Sequence, residues 1–415
     1  MRTAALCALL LAACGPDEGA VSEPEPTPDP VPDPDPDPDP DPDPDPDPDP
    51  DPPAASPSAP EAGCEVSEPA RVFGGDAWLD VAGVDGGFVA AGVSRLGDGE
   101  HAFAVSLAPG AAPRLIARRA LDDDAVDGHR RAGPAVAARG TSVALALQDG
   151  RRRLQLARFE STGDGPLRFA PVAEGASLQF PPSLDWSGDD LLAAWTDQET
   201  GRRRVFARAL RATGRSPAAV DVTPSSGGAA APSFVAGADP PVLAFVDARE
   251  AMSVVHRVAF EDGAFGAPEV ARPVSLLTDP PVLAAVDMHQ TEWVAYSGIG
   301  SAATTAVGLM PLIGSNAPVP VVPGQGYGVL HLDAAPFAGG AVIAADAPLA
   351  RTPDSDREVH LRPVDASGQL DDPVAIRGPR GTASRARVAV SAGVIAVAFV
   401  ESDGAYVALA RCASP

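Results

Sequence analysis

Basic residues are scarce in this 415-residue chain, with 31 Lys and Arg against 56 Asp and Glu and a formal net charge of −25. Between Asp17 and Ala62 there are 16 acidic residues and no basic one. From Cys64 onward 40 acidic residues face 30 basic ones, a net charge of −10. Phosphate binding needs clustered Lys and Arg, so this balance argues against a nucleic-acid partner. Acidity favours solubility and loose association with cations instead. Outside the first fourteen residues no apolar run reaches the length of a membrane span. Beyond Cys64 no helical pattern is sustained. There is no HExxH, no zinc-spaced Cys/His cluster, no Walker loop and no G-x-S-x-G elbow. The sequence therefore nominates no catalytic residue, no metal site and no cofactor. Cysteine is limited to four, at positions 7, 14, 64 and 412.

What the N-terminus does contain is a short leader, MRTAALCALLLAAC. Arg2 supplies a positive n-region, and Ala4 to Leu11 an apolar h-region too short to span a bilayer. The closing LAAC resembles the lipobox of bacterial lipoproteins. That resemblance implies cleavage between Ala13 and Cys14, lipidation of Cys14, and attachment to the cell envelope, at the outer membrane or the cell surface. Cys7 leaves with the leader, so Cys64 and Cys412 remain in the mature body. In an exported chain disulfides persist, and these two are expected to pair.

The next segment, from Cys14 to Gly63, carries ten consecutive Asp-Pro pairs between Asp33 and Pro52. Proline at alternate positions fixes φ near the polyproline II value and removes backbone donors, and it disfavours helix at each preceding Asp. Charge repulsion stiffens such a chain further, and about 48 residues at ~3.1 Å each reach on the order of 150 Å. Carboxylates on a stiff rod converge poorly on a calcium ion, which needs six to eight oxygens. A spacer is the favoured reading.

Beyond the spacer, residues 64–415 read as a repeated all-β unit. GPAVAARGTSVALALQDGRRRLQLARF, PPSLDWSGDDLLAAWTDQETGRRRVFARAL and APSFVAGADPPVLAFVDAREAMSVVHRVAF share one plan. A proline opens a short strand, a polar turn follows, an apolar run makes a second strand, and a turn with Asp leads into a third. Pro134, Pro182 and Pro232 mark the phase, and weaker copies begin near Trp78, Pro281, Leu332 and Arg387. In the fifth copy PPVLAAVD fits either a first or a second strand. LRFAPV and FGAPEV are suited to fourth strands. Four strands per roughly 50 residues is the unit of a β-propeller. The length predicts seven four-stranded blades, with six or eight as neighbouring solutions. The Cys64–Cys412 pair would clasp such a ring, and two packed β-sandwiches are the rival fold.

The third unit, WSGDDLLAAWTDQETGRRRVFARAL, resembles a W-x-D repeat of exported bacterial propeller-like proteins of unknown function. Trp186, Gly188, Trp195, Asp197, Gly201, Phe206 and Arg208 occupy the repeat's places, and the neighbouring copies match only in part. The resemblance implies a propeller-like fold and no particular activity.

Several residues invite a functional reading. Asp197, Asp247 and Asp287 follow apolar runs; they suit either a ring of acids or turn carboxylates bonded to backbone. Histidines at 101, 129, 256, 289, 331 and 360 are scattered, and His331 with Asp333 falls short of a metal set. No sialidase box occurs. Arg151, Arg152 and Arg153 recur in phase with Arg202, Arg203 and Arg204, forming either a small basic patch or solvated hairpin ends. Trp186 and Trp195 suit core packing or ligand contact. The leading expectation is a lipid-anchored, monomeric envelope protein that binds a protein or glycan without catalysis. A carbohydrate-active hydrolase with its site at a channel mouth, and a purely structural envelope component, are the alternatives.

Overall fold

The computed structural model describes residues 63–413 apart from 122–132, 150, 178, 199–200, 225–227, 249–252, 275–281, 300–304, 315–316, 323–330 and 349–355. The leader, Cys14, the Asp-Pro segment and His129 lie outside the described residues. Among those residues every regular element is a strand, and no helix is long and apolar enough to cross a membrane.

The strands form small antiparallel sheets in chain order. Sheet 1 comprises Asp76–Val84, Gly87–Leu96, Gly99–Leu107 and Arg114–Ala120. Sheet 2 comprises Ala135–Arg139, Ser142–Gln148, Leu154–Glu160 and Ala170–Ala173. Sheet 3 comprises Ser183–Ser187, Asp190–Asp197, Arg204–Leu210 and Val220–Asp221. Sheet 4 has Gly228–Ala236, Val242–Ala248, Ser253–Glu261 and Glu269–Val274, with the short Ala264–Phe265 beside its third strand. Sheet 5 has Leu283–Met288, Thr291–Ile299, Thr305–Pro311 and Val319–Val322. Sheet 6 has Leu332–Phe337, Gly340–Pro348, Arg357–Val364 and Val374–Ile376.

Sheet 7 is built from both ends of the body. Ser384–Ser391, Val394–Glu401 and Gly404–Cys412 follow one another, and Cys64–Val66 and Ala70–Gly74 both pair with the last of them. Cys64 lies directly opposite Cys412, and the two form a disulfide across 348 residues of chain. Sheets 4 and 5 also touch through a short parallel pairing of their first strands, Val235 with Ala285 and Ala236 with Val286.

Burial explains why the strands read as apolar runs such as LLAAW rather than as strict alternation. Each sheet packs on both faces, so neither face is left to polar residues. Leu145 and Ala157 of sheet 2 pack with Val89 and Ala104 of sheet 1, while Ala144 and Leu156, on its other face, meet Leu191 and Trp195 of sheet 3. Sheets 3 and 4 share Leu192, Val205, Leu243 and Phe245. Sheets 4 and 5 share Val246, Val255, Val294 and Met310. Sheets 5 and 6 join through Trp293, Leu309 and Ile343, and sheets 6 and 7 through Val342, Leu361, Val397 and Phe399. Sheet 7 then packs on sheet 1 through Ala396, Val407, Phe88 and Phe103.

Turn chemistry fixes the hairpins. Between Val84 and Gly87 the turn is Asp85-Gly86, where Gly86 has φ +81°, a region that glycine enters without steric cost. The result is an all-β fold of several small antiparallel sheets, consistent with a propeller- or solenoid-like arrangement. The fifth copy resolves its ambiguity here: PPVLAAVD contributes the first strand of sheet 5, and TEWVAYSG the second.

Candidate functional site

The first strands of all these sheets line one cavity of about 560 Å³. Within it one strand position recurs. Asp80, Ser183, Asp333 and Arg387 each stand four residues before the last paired residue of the first hairpin, which is Val84, Ser187, Phe337 and Ser391 respectively. Ala135 and Ala284 hold the same place in sheets 2 and 5, and Ser233 takes the corresponding place in sheet 4.

Oxygens at this position stitch each sheet to the next. Val136 N–H donates to Asp80 Oδ2 at 2.7 Å and Phe234 N–H to Ser183 Oγ at 2.9 Å. Ala285 N–H donates to Ser233 Oγ at 3.2 Å and Val388 N–H to Asp333 Oδ2 at 2.8 Å. Where the preceding sheet offers no oxygen, the carboxylate serves its own neighbour. After Ala284, Ala334 N–H bonds Asp333 Oδ1 at 3.0 Å; after Arg387, Val81 N–H bonds Asp80 Oδ1 at 2.9 Å. A strand edge facing a cavity leaves backbone donors that must be satisfied, and these side chains satisfy them.

Three adjacent sheets thus set Asp333, Arg387 and Asp80 side by side, with Arg387 Nε 3.7 Å from Asp80 Oδ1. Burial dominates their protonation. It pushes Asp80 up to about 7 against the opposing pull of Arg387, with Asp333 adding to the rise. Asp333 is raised for the same reason, again opposed by Arg387. Asp185, two residues further along sheet 3, is pushed up to about 6 by burial, opposed only by the Trp186 N–H. That N–H reaches Asp185 Oδ1 at 2.8 Å.

At the start of the sheet 6 first strand His331 belongs to a different group. His331 Nδ1 lies 2.8 Å from Asp346 Oδ2, and its N–H donates to Asp346 Oδ1 at 2.9 Å. Asp346, with no exposed side-chain surface, also accepts from Arg357 Nη2 at 3.2 Å and from the Arg385 N–H at 2.9 Å. Burial alone would raise the Asp346 carboxyl, but His331, Arg357 and the Arg385 N–H overcome this and hold it well below the usual range. His331 is lowered by burial, with Asp346 opposing. The Arg385 guanidinium lies over the Trp78 ring at 3.6 Å, a cation–π contact. Trp78 also packs against Gly133, where a Cβ would come within 3.1 Å of the ring. His331 and Asp333 therefore act separately, and among the described residues no three His, Cys, Asp or Glu side chains gather as a metal site.

The acids after the apolar runs hold connectors in place. Asp149, immediately after the second strand of sheet 2, accepts the N–H groups of Arg151 and Arg153 at 3.0 and 2.9 Å. Glu401, at that end of sheet 7, accepts from the N–H of Arg380 and of Thr382. Asp197 and Asp247 sit at the same end of their sheets, and Asp247 Oδ2 is 3.7 Å from His256 Nε2. Asp287 does not join them, because it lies on a first strand, opposite Glu292. Its apolar run belongs to a different strand of the unit.

The arginine triplets occupy matching hairpins. Arg151 and Arg152 are exposed, while Arg153 pairs with Asp149 at 2.7 Å. Arg202 is exposed; Arg203 lies over the Phe180 ring at 5.2 Å and reaches Gln179 Oε1 at 3.5 Å. Arg204 pairs with Asp221 at 3.1 Å. Both hairpins are clamped by the chain that enters the next sheet, Ala176 N–H, in the connector, donating to Arg152 O and Ala229 N–H, in the first strand of sheet 4, to Arg203 O. Trp195 is buried and stacked on Phe206, which places it in the core, the first of its two readings, and removes it from the candidate ligand contacts. Trp186 is half-buried on the cavity wall with Arg158 over its ring.

Asp80, Asp185 and Arg387 escaped the sequence reading. A signal for the recurring strand position was present in sheets 2, 3 and 4: Pro134, Pro182 and Pro232 each directly precede it.

No protein-family model matches the chain, and no curated protein matches it. Among solved structures it is similar in fold to the BP39L lectin from Burkholderia pseudomallei, with 16% identity and a TM-score of 0.58 over 82% of this chain and 97% of the lectin. It is also similar to the WD40 domain of coronin from Toxoplasma gondii, with 12% identity and a TM-score of 0.53 over 85% of this chain and 86% of that domain. At these identities the likeness is one of fold.

Proposed function

We propose that the chain is a seven-bladed β-propeller that binds a glycan or protein ligand without catalysing its turnover. Ring closure is supported by the packing of sheet 7 on sheet 1 and by the N-terminal strands that complete sheet 7. The observation that carries a binding role over hydrolysis is the engagement of Asp80 and Asp333, which leaves Asp185 without a second open carboxylate where glycoside hydrolysis needs a pair. Asp80 and Asp333 each have both oxygens occupied by backbone N–H groups, so their repeated placement serves the scaffold. Fold similarity to a lectin supports a glycan as the first ligand class to test.

The ligand surface in this reading is the hairpin end that carries Arg151, Arg152, Arg202 and Arg203. Immobilised neutral, carboxylated and sulfated glycans are the probes. Replacing the four arginines with Ser is expected to weaken binding of an acidic glycan at least tenfold, with a small fall in thermal stability from the lost Arg203–Phe180 contact. Equal binding by the variant would remove the arginines from the function. The LAAC resemblance supports a lipid on Cys14 and an envelope location for the body. Metabolic labelling with an alkynyl fatty acid should mark the wild type and not C14S.

A further inference from the structure

The cavity wall is rich in hydrogen-bond acceptors, and much of its backbone donor capacity is absent or already engaged. Five prolines, at 134, 181, 182, 232 and 336, line it and contribute carbonyls without N–H groups. Seven further lining N–H groups, those of Val81, Val136, Trp186, Phe234, Ala285, Ala334 and Val388, are engaged by Asp and Ser oxygens. Three carboxylates, Asp80, Asp185 and Asp333, line the space with one guanidinium, that of Arg387, whose Nε is 3.7 Å from Asp80 Oδ1. His331, the remaining titratable group on the wall, is turned toward Asp346.

Asp185 differs from the other two carboxylates. One of its oxygens accepts the Trp186 N–H, and among the described residues no protein donor serves the other. The cavity, about 560 Å³, falls in the range of small-molecule sites, ~300–1,000 Å³.

We propose that this cavity is a second ligand site, taking a small organic cation that carries an ammonium group, with the unengaged oxygen of Asp185 as its anchor. An ammonium brings three donors and a positive charge to that open carboxylate oxygen. The site is independent of the arginine hairpins, so either assignment can fail without the other.

The probe is n-butylammonium, titrated into the full-length protein at fixed sodium chloride by calorimetry, with 1-butanol as the neutral comparison. Saturable binding of the ammonium, none of the alcohol, and at least tenfold weaker binding to D185N are expected. D185N retains the acidic N-terminal segment, so binding there would survive the substitution and overturn the proposal. A second measurement needs no variant. A bound cation favours the ionised forms of Asp185 and of Asp80 on the same wall, so at pH 6 binding should release protons, read as a buffer-dependent heat, and at pH 8 release should largely vanish. Equal affinity for the alcohol, unchanged affinity in D185N, or buffer-independent heats at pH 6 would each overturn the proposal. Should D185N fail to fold, the same titration on D185S decides.

Discussion

Asp80 and Val136 are 56 residues apart, yet the carboxylate of one accepts the backbone N–H of the other at 2.7 Å. The bond ties the cavity-facing edge of sheet 1 to that of sheet 2, and Asp333 repeats it on Val388 between sheets 6 and 7.

Truncating Asp80 to Ala leaves the N–H groups of Val81 and Val136 without acceptors and Arg387 without its neighbour. Unsatisfied buried donors cost ~1–3 kcal/mol each, so D80A should destabilise the body by about 3 kcal/mol in urea unfolding. D80N, which retains an acceptor oxygen, should lose less. A pH signature accompanies this. Asp80 is raised to about 7 in the fold from an ordinary 3.8, so its contribution is full below 3.8 and is lost as pH rises through 7. Asp185, raised to about 6, acts in the same direction. Urea midpoints measured at pH 4, 5.5 and 7 should fall with pH in the wild type and fall less in D80N.

Asp346 should show the opposite slope. Its depressed carboxyl contributes stability above the ordinary value of 3.8 that is lost as pH falls below it. D346A strands His331, Arg357 and the Arg385 N–H in a buried place, and removing one member of a buried ion pair costs ~3–5 kcal/mol. Acid unfolding followed by tryptophan fluorescence should begin at higher pH in this variant.

The chain contains no lysine, so all 31 of its basic residues are arginine. Arg208 shows a use for the planar fork: Nε donates to Pro217 O at 2.9 Å and Nη1 to Val172 O, on the neighbouring sheet, at 2.8 Å. Arg362 repeats the arrangement with Asp371 O and, across to sheet 5, Val321 O at 2.5 Å. A lysine cannot present two donors in that fixed geometry. R208K and R362K should each lower stability by ~1–2 kcal/mol, read as a shift in denaturation midpoint with an unchanged slope.

Reducing the Cys64–Cys412 bond frees a loop of 348 residues. The chain-entropy account gives an upper figure of about 5 kcal/mol for a loop of that length. C64S/C412S should unfold at lower guanidinium concentration, and hydrogen exchange should rise first in Cys64–Val66, whose ladder is only three residues long. Adding a reductant to the double variant should change nothing further.

Local composition and period were enough to determine the all-β character, the repeat near 50 residues and the meeting of Cys64 with Cys412. Turn residues and short apolar runs are written at a scale of a few residues, where steric preference and burial act directly. The strand that holds Asp287 was not legible, because a sheet buried on both faces yields continuous apolar runs that look alike in first and second strands. Nor was the recurring strand position in sheets 1, 6 and 7. Asp80, Asp333 and Arg387 share no local motif; what unites them is distance from a hairpin and the identity of the neighbouring sheet's residue. Whether a carboxylate binds backbone, lies beside an arginine or keeps an oxygen open to the cavity depends on strand edges brought together from units some 50 residues apart. Only the packed tertiary structure decides that, because burial and the demands of unsatisfied backbone donors exist nowhere in the sequence taken one unit at a time.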